Sequence, residues 1–223
     1  MYEILSKDFN DSVVYFRCKQ FADERGYFMT GFNQECFEKE IANVKFIQQN
    51  ISNSKKNVCR GLHFQVINPQ GKLVQCIEGR VVDFAMDIRV DSPTFGKILA
   101  YNLDDPSLFL YIPEGFAHGF ISLTDKVLFQ YFVTDKYNKE GERTINFLEE
   151  LDRNLFIDYK TYDKCVNKMI NFGLSVKNML PDLDKLILSE KDKQAVSFLQ
   201  YPRFFDTFSK QNEKNAWNYK NVK

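Results

Sequence analysis

Histidine is scarce in this chain and tryptophan scarcer, two of one and one of the other among 223 residues. Two histidines, His63 and His118, cannot alone supply the several imidazole and carboxylate ligands that a zinc or transition-metal barrel gathers. The five cysteines (Cys18, Cys36, Cys59, Cys76, Cys165) are odd in number, and none stands in a Cys-x-x-Cys pair. That argues against a disulfide frame and a zinc site, and for free thiols in a reducing cytoplasm. An excess of charge is also missing. Thirty Lys and Arg balance thirty Asp and Glu, so no broad basic field awaits a nucleic acid. The lysines are scattered, and no basic amphipathic helix points to a membrane surface. No apolar run approaches the roughly 20 residues needed to span a bilayer. The first eight residues carry acids early and no apolar h-region, unlike a signal peptide. Gly61, Gly71 and Gly79 are too dispersed for a phosphate-cradling loop, and no internal repeat is evident.

Phenylalanine, by contrast, is abundant at 22 residues and supports a well-filled core. From Val44 to Thr134 short extended segments alternate with turn residues, the pattern of an antiparallel sandwich or barrel. The clearest strand is Val81–Val90. Val82, Phe84, Met86, Ile88 and Val90 share one face, and Asp83, Ala85, Asp87 and Arg89 the other. Asn33–Ile41 has helical spacing, with Phe37 and Ile41 on one side. After about Ile145 the character changes. Thr161–Asn178 places Cys165, Met169, Ile170 and Leu174 at roughly helical spacing. Ser189 can cap a helix start, with Asp192 three residues on. The tail beyond Phe208 is polar, with Trp217 and Tyr219 its only aromatics. The expected organisation is a mainly β core over residues 1–147. A helical extension over 148–223 packs on it and ends in a polar tail.

Polar residues recur at strand positions: Arg60, His63, Gln65, Lys72, Asp83, Asp87, Arg89, His118 and Tyr131. If the strands close into a barrel, the inward ones line a cup. A cup holding His, Lys, Arg and Tyr suits an anionic carbonyl compound. A histidine can remove a proton α to the carbonyl, a lysine can steady the enolate, and a tyrosine can return a proton. Strict alternation puts Arg60 and His63 on opposite faces. Either Gly61 carries a bulge or Arg60 precedes the strand.

Linked motifs then carry a resemblance. They are Asp23-Glu24-Arg25-Gly26-Tyr27-Phe28, Phe46-Ile47-Gln48-Gln49-Asn50 and Arg60-Gly61-Leu62-His63-Phe64-Gln65. They continue with Gln70-Gly71-Lys72-Leu73-Val74, with Asp87-Ile88-Arg89 and Ser92-Pro93-Thr94-Phe95-Gly96, and with Ile112 to Phe120. Tyr131, Thr134 and Tyr137 complete them. In this order and spacing the chain resembles the dTDP-4-dehydrorhamnose 3,5-epimerase family over about residues 8–147. The resemblance implies an antiparallel jelly-roll (cupin-like) barrel with C-terminal helices, a homodimer, and no metal or organic cofactor. It implies a cytoplasmic isomerase of deoxysugar and lipopolysaccharide biosynthesis that inverts C3, C5 or both in a nucleotide-linked 4-keto-6-deoxy sugar.

By the same resemblance His63 is the base, Tyr131 the opposing acid and Lys72 the holder of the enolate oxygen. Asp192, in Ser189-Glu190-Lys191-Asp192, orients His63, with Asp184 as the alternative partner. His118 pairs with Asp83 in the pocket. Arg25, Phe28, Gln48, Asn50, Arg60, Phe120, Tyr137 and Glu142 contact the substrate. Four features depart from the family pattern: extra sequence between Tyr159 and Leu186, Asn146-Phe147 where the family favours Trp, Gln49, and Ile51. Three alternatives stay open. They are an epimerase acting at C3 alone, a keto-isomerase on a GDP- or CDP-linked sugar, and a non-catalytic sugar-binding barrel.

Overall fold

The computed structural model describes residues 1–153, 156–163, 168–175 and 180–201. Two antiparallel sheets face each other. The first runs in the order β1 (Tyr2–Asp8), β2 (Val13–Cys18), β10 (Leu108–Ile112), β7 (Lys72–Glu78), β12 (Val127–Val133) and β5 (Gln48–Ser54). The second begins β13 (Glu142–Thr144), β6 (Cys59–Gln65), β11 (Phe116–Ser122), β8 (Val81–Asp87) and β9 (Ile98–Leu103). It continues into β14 (Phe156–Asp163) and β15 (Lys168–Ser175). Non-consecutive strands lie side by side throughout, as in a jelly roll. A two-stranded hairpin, β3 (Gln20–Asp23) with β4 (Gly26–Met29), stands apart from both sheets.

Period-two alternation decides what lies between the sheets. Val74, Cys76, Ala85, Leu99, Tyr101, Phe116, Phe120 and Phe129 form one buried cluster inside the barrel. The opposite faces of the same strands are covered too. Leu62, Phe64, Phe84 and Met86 pack with Phe147 and Leu151 of α2 (Phe147–Arg153). On the other sheet Phe16, Leu73 and Phe109 pack with Phe37 of α1 (Gln34–Glu40). The expected helix near Phe37 thus forms. Asn33 caps it by accepting from the Cys36 amide, and Phe37 is fully buried while Ile41 is only partly so.

Two expectations are corrected. The strand at Val81 stops at Asp87 rather than Val90. The Asp87 carboxylate accepts from the Arg89 amide and from the hydroxyls of Ser92 and Thr94, and this local side-chain bonding bends the chain into a turn. The helix expected over Thr161–Asn178 is also absent where the chain is described. Two strands stand there, and β14 lies parallel on β9 with Asp158 opposite Leu99. The run Phe-Ile-Asp-Tyr-Lys-Thr-Tyr is rich in aromatic and β-branched residues, which favour a pleated strand over a helix. Residues 164–167, with Cys165, 176–178 and the tail with Trp217 and Tyr219 lie outside the described residues. Helix in the C-terminal part is limited, among the described residues, to α2, α3 (Glu190–Lys193) and two 3-10 turns. No helix among them is long and apolar enough to cross a membrane.

Candidate active site

Of the two alternatives open at Arg60, the bulge at Gly61 is the one present, with Arg60 inside the strand. On β6 and β11 His63 lies opposite His118 and Arg60 opposite Phe120, so three steps on one strand match two on the other. The slip brings Arg60 and His63 to the same inward face. Gly61 has φ +110°, and a Cβ there would stand 2.6 Å from both the Gly119 Cα and the His118 carbonyl oxygen. Only glycine fits this approach.

His63 opens onto a cleft of about 140 Å³ whose walls include Lys72, Gln70, Tyr131, Tyr137 and Glu142. Its Nε2 lies 2.6 Å from Asp192 Oδ1. Asp192 is buried, and its second oxygen accepts from Ser189 Oγ at 2.8 Å. Burial works against ionisation of Asp192. The hydrogen bonds from His63 and Ser189 more than offset that and hold the carboxyl below its ordinary range. A carboxylate on Nε2 selects the tautomer that donates from Nε2, leaving Nδ1 as the basic nitrogen. Asp184, the alternative partner, sits instead in the 3-10 turn Leu183–Lys185.

Lys72 is buried, and its ammonium donates to the His63 carbonyl at 3.3 Å. Desolvation pushes its pKa down to about 8, against the pull of Asp83 and Glu142. The ammonium therefore persists at neutral pH and is lost as pH rises through about 8. Tyr131 is half-buried on β12 and opposite Asn50 of β5. Burial raises the phenol above its ordinary range, with Arg60 and Asn50 pulling the other way, so it keeps its proton at neutral pH. If Lys72 must be charged for turnover, kcat should fall as pH rises through about 8. A pH profile of kcat flat to about pH 9.5 would remove the lysine charge from the reaction.

Behind the cleft His118 Nε2 lies 2.8 and 3.0 Å from the two oxygens of Asp83. Burial lowers the His118 pKa and raises that of Asp83, each opposed by the other, so the imidazole is neutral where it meets the Asp83 carboxyl group. Phe120, expected on the substrate, is buried and stacked on Phe129 with centroids 4.2 Å apart. Neither His118 nor Phe120 is on the cleft lining. Arg25 and Phe28 also lie off it, because the β3–β4 hairpin projects outward. Arg25 pairs with Asp23, and Phe28 is 69% exposed. Gln48 donates to Asn50 at 2.7 Å, and Arg60 donates to Ser54 Oγ at 3.1 Å. Tyr137 donates to Glu142 at 3.0 Å.

Gln65, read from the sequence as a cup residue, ties the loop after β6 to the loop beyond β12, donating to the carbonyls of Asn68 and Lys136 and accepting from the Asn138 amide. Sequence reasoning passed over other parts of the cleft. Gln70, Pro69, Gly115 and Phe116 line the walls. All but Pro69 stand inside the quoted motif strings, and that was the signal. Among the described residues no group of three or more His, Cys, Asp or Glu could hold a metal ion.

The fold and the cleft define a jelly-roll (cupin-like) barrel enzyme with a carboxylate-oriented histidine, a buried lysine and a protonated tyrosine around one chamber. The sequence model of the dTDP-4-dehydrorhamnose 3,5-epimerase family matches residues 9–200. A dTDP-4-dehydrorhamnose 3,5-epimerase of Shigella flexneri is 50% identical over 137 residues, covering 60% of this chain and 75% of the relative. The one of Methanothermobacter thermautotrophicus is 37% identical over 184 residues, covering 82% and 88%. The crystal structure of the 3,5-epimerase RmlC of Legionella pneumophila, in complex with dTDP-4-keto-L-rhamnose, superimposes with a TM-score of 0.72 at 32% identity. It covers 88% of this chain and 93% of that one. The chain belongs to the dTDP-4-dehydrorhamnose 3,5-epimerase family and is an epimerase of nucleotide-linked sugars.

Proposed function

We propose that the chain inverts C3 and C5 of a dTDP-linked 4-keto-6-deoxy sugar, as a cytoplasmic homodimer that uses no metal or organic cofactor. The observation that carries this is His63 on Asp192 at 2.6 Å, in a cleft that also presents Lys72 and Tyr131. The C4 ketone acidifies the hydrogens at C3 and C5. His63 Nδ1 takes one of them, and the C–H electron pair moves into the C4 carbonyl to give an enolate. The Lys72 ammonium donates to that oxygen where negative charge develops. Tyr131 gives its phenolic proton to the opposite face of the carbon, which inverts the centre. Asp192 holds the His63 ring and stabilises the imidazolium that forms.

The homodimer is supported by the projecting hairpin. Arg25 and Phe28 do not line the cleft of their own chain, and Phe21, Tyr27, Phe28 and Ile51 are exposed. Exposed apolar side chains on the hairpin suit a second copy, whose cleft the hairpin would complete.

Incubation with dTDP-4-keto-6-deoxyglucose in deuterated water tests the reaction. Deuterium should enter at C3 and C5, and exhaustive chelation should leave the rate unchanged. The same sugar on GDP, CDP and UDP should react more slowly. Deuterium at C3 alone reduces the activity to a single-centre epimerase. Activity lost on chelation and restored by one divalent ion would overturn the cofactor-free mechanism.

A further inference from the structure

Lys191 has the look of a surface lysine, with 47% of its side chain exposed. Its ammonium donates to Glu142 Oε1 at 2.7 Å. An exposed ion pair of this kind contributes little to stability by itself. What distinguishes this one is where its two ends are fixed. Glu142 is only 21% exposed and lines the cleft, and its other oxygen accepts from Tyr137. Its strand, β13, sets Glu142 opposite Gln65 and Thr144 opposite His63. At the other end Lys191 directly precedes Asp192 in α3. Adjacent side chains of a helical turn diverge by about 100°, so Asp192 turns inward to His63 and Lys191 reaches across the mouth to Glu142. The contacts close a ring: His63, Asp192, one peptide unit, Lys191, Glu142, and back to His63 through the β13–β6 ladder.

The rest of the segment is held by a backbone bridge at each flank and by Leu188, which packs against the core. Ile187 bridges to Val58 on one side and Val196 to Ile145 on the other. Between these backbone anchors the Ser189 cap forms the turn, while Lys191 ties that turn to the cleft wall.

We propose that Lys191 is a positioning residue for the general base. By clamping α3 to Glu142 it fixes the rotation that keeps Asp192 on His63. It also neutralises a carboxylate at the cleft wall, beside the place where the enolate's negative charge develops. Burial opposes ionisation of Glu142, and the hydrogen bonds from Lys191 and Tyr137 outweigh it, so the carboxyl sits below its ordinary range. Without Lys191 that charge would face the developing enolate with the neutral Tyr137 hydroxyl, but no longer the Lys191 ammonium, bonded to it.

The kinetic half of the test rests on the epimerase reading, and the spectroscopic half does not. In the full chain Lys191→Met keeps the methylene stem and removes the charge, whereas Lys191→Arg keeps it. In Lys191→Met kcat should fall about tenfold, the order expected when a reacting group is held less well. KM should stay within about twofold, and Lys191→Arg should restore most of the loss. The second readout needs no substrate. Two-bond 1H–15N correlations of the histidine rings report the tautomer, and two histidines give two ring patterns. The pattern missing in His63→Asn is that of His63, and the His118 pattern serves as the control for an intact barrel. The native ring of His63 should show a single tautomer protonated at Nε2. Lys191→Met should turn it into a mixture and leave His118 unchanged, and Lys191→Arg should return the single form. An unaltered His63 pattern in Lys191→Met overturns the proposal, and so does a kcat within about twofold of native. If the native chain turns over no 4-keto sugar, the epimerase reading falls, and the ring pattern alone decides the role of Lys191.

Discussion

Replacing His63 with asparagine should abolish exchange of the C3 and C5 hydrogens with solvent while leaving the barrel folded. The side chain sits where three constraints meet. The bulge at Gly61 aims it inward, Asp192 holds Nε2 at 2.6 Å, and the cleft receives the rest of the ring. Asparagine fills similar space and can still donate an amide N–H to the Asp192 carboxylate. The buried carboxylate therefore keeps a partner, and the cost of leaving it unpaired, roughly 3–5 kcal/mol, is avoided. What asparagine cannot do is accept a proton near neutral pH. Loss of a general base costs about 100- to 10,000-fold, so exchange followed by proton NMR in deuterated water should fall by at least the lower figure. Near-native exchange in a folded His63→Asn chain would remove this histidine from the mechanism and leave the Asp192 contact as a structural pair.

Much of the site was legible because two kinds of signal agreed. The alternation along Val81–Asp87 placed Asp83 on one face and Phe84 on the other, and in the fold these are the barrel interior and the face under α2. The Gly61 ambiguity was visible as a conflict between alternation and motif order, and the register slip against His118 and Phe120 resolves it. Asp192 could be picked because Ser189-Glu190-Lys191-Asp192 matches the Ser-x-Lys-Asp segment that the family resemblance implies, and Ser189 also reads as a cap. The same serine proves to hold both the Asp192 amide and its carboxylate. Other features depended on long-range pairing that no local pattern encodes. The β15 strand was read as helix because lysines and apolar residues between Thr161 and Asn178 fell near a 3.6 period, while it pairs with β14, which in turn lies on β9, some sixty residues earlier in sequence. Glu142 looked like a substrate contact, and its tie to Lys191 became visible only when β13 and α3 met at the mouth. Arg25 and Phe28 matched the motif but lie on a hairpin away from their own cleft, and a sequence does not say to which copy of the chain a hairpin belongs.

Tyr131→Phe should separate proton removal from inversion. The substitution keeps the ring and removes only the hydroxyl. The aromatic packing against Phe129, with centroids 6.4 Å apart, can therefore persist. Loss of one hydroxyl at the edge of the chamber should cost no more than about 1 kcal/mol of stability. His63 and Lys72 are untouched, so the enolate should still form. In deuterated water His63 can return a deuteron to the face from which it took the proton, so label should still enter at C3 or C5. Delivery from the opposite face then lacks its acid, and inverted product should fall by about 100-fold or more, the usual effect of losing one proton-transfer group. The expected signature is a raised ratio of exchange to inversion, whereas His63→Asn should lose both together. The argument rests on Tyr131 standing on β12 of one sheet and His63 on β6 of the other, with the cleft between them. Equal loss of exchange and inversion in Tyr131→Phe would mean that the tyrosine also governs enolate formation or binding. Unchanged inversion would mean that water or another group protonates that face. In that case the elevated phenol pKa, which keeps the proton available at neutral pH, would have no part in the chemistry.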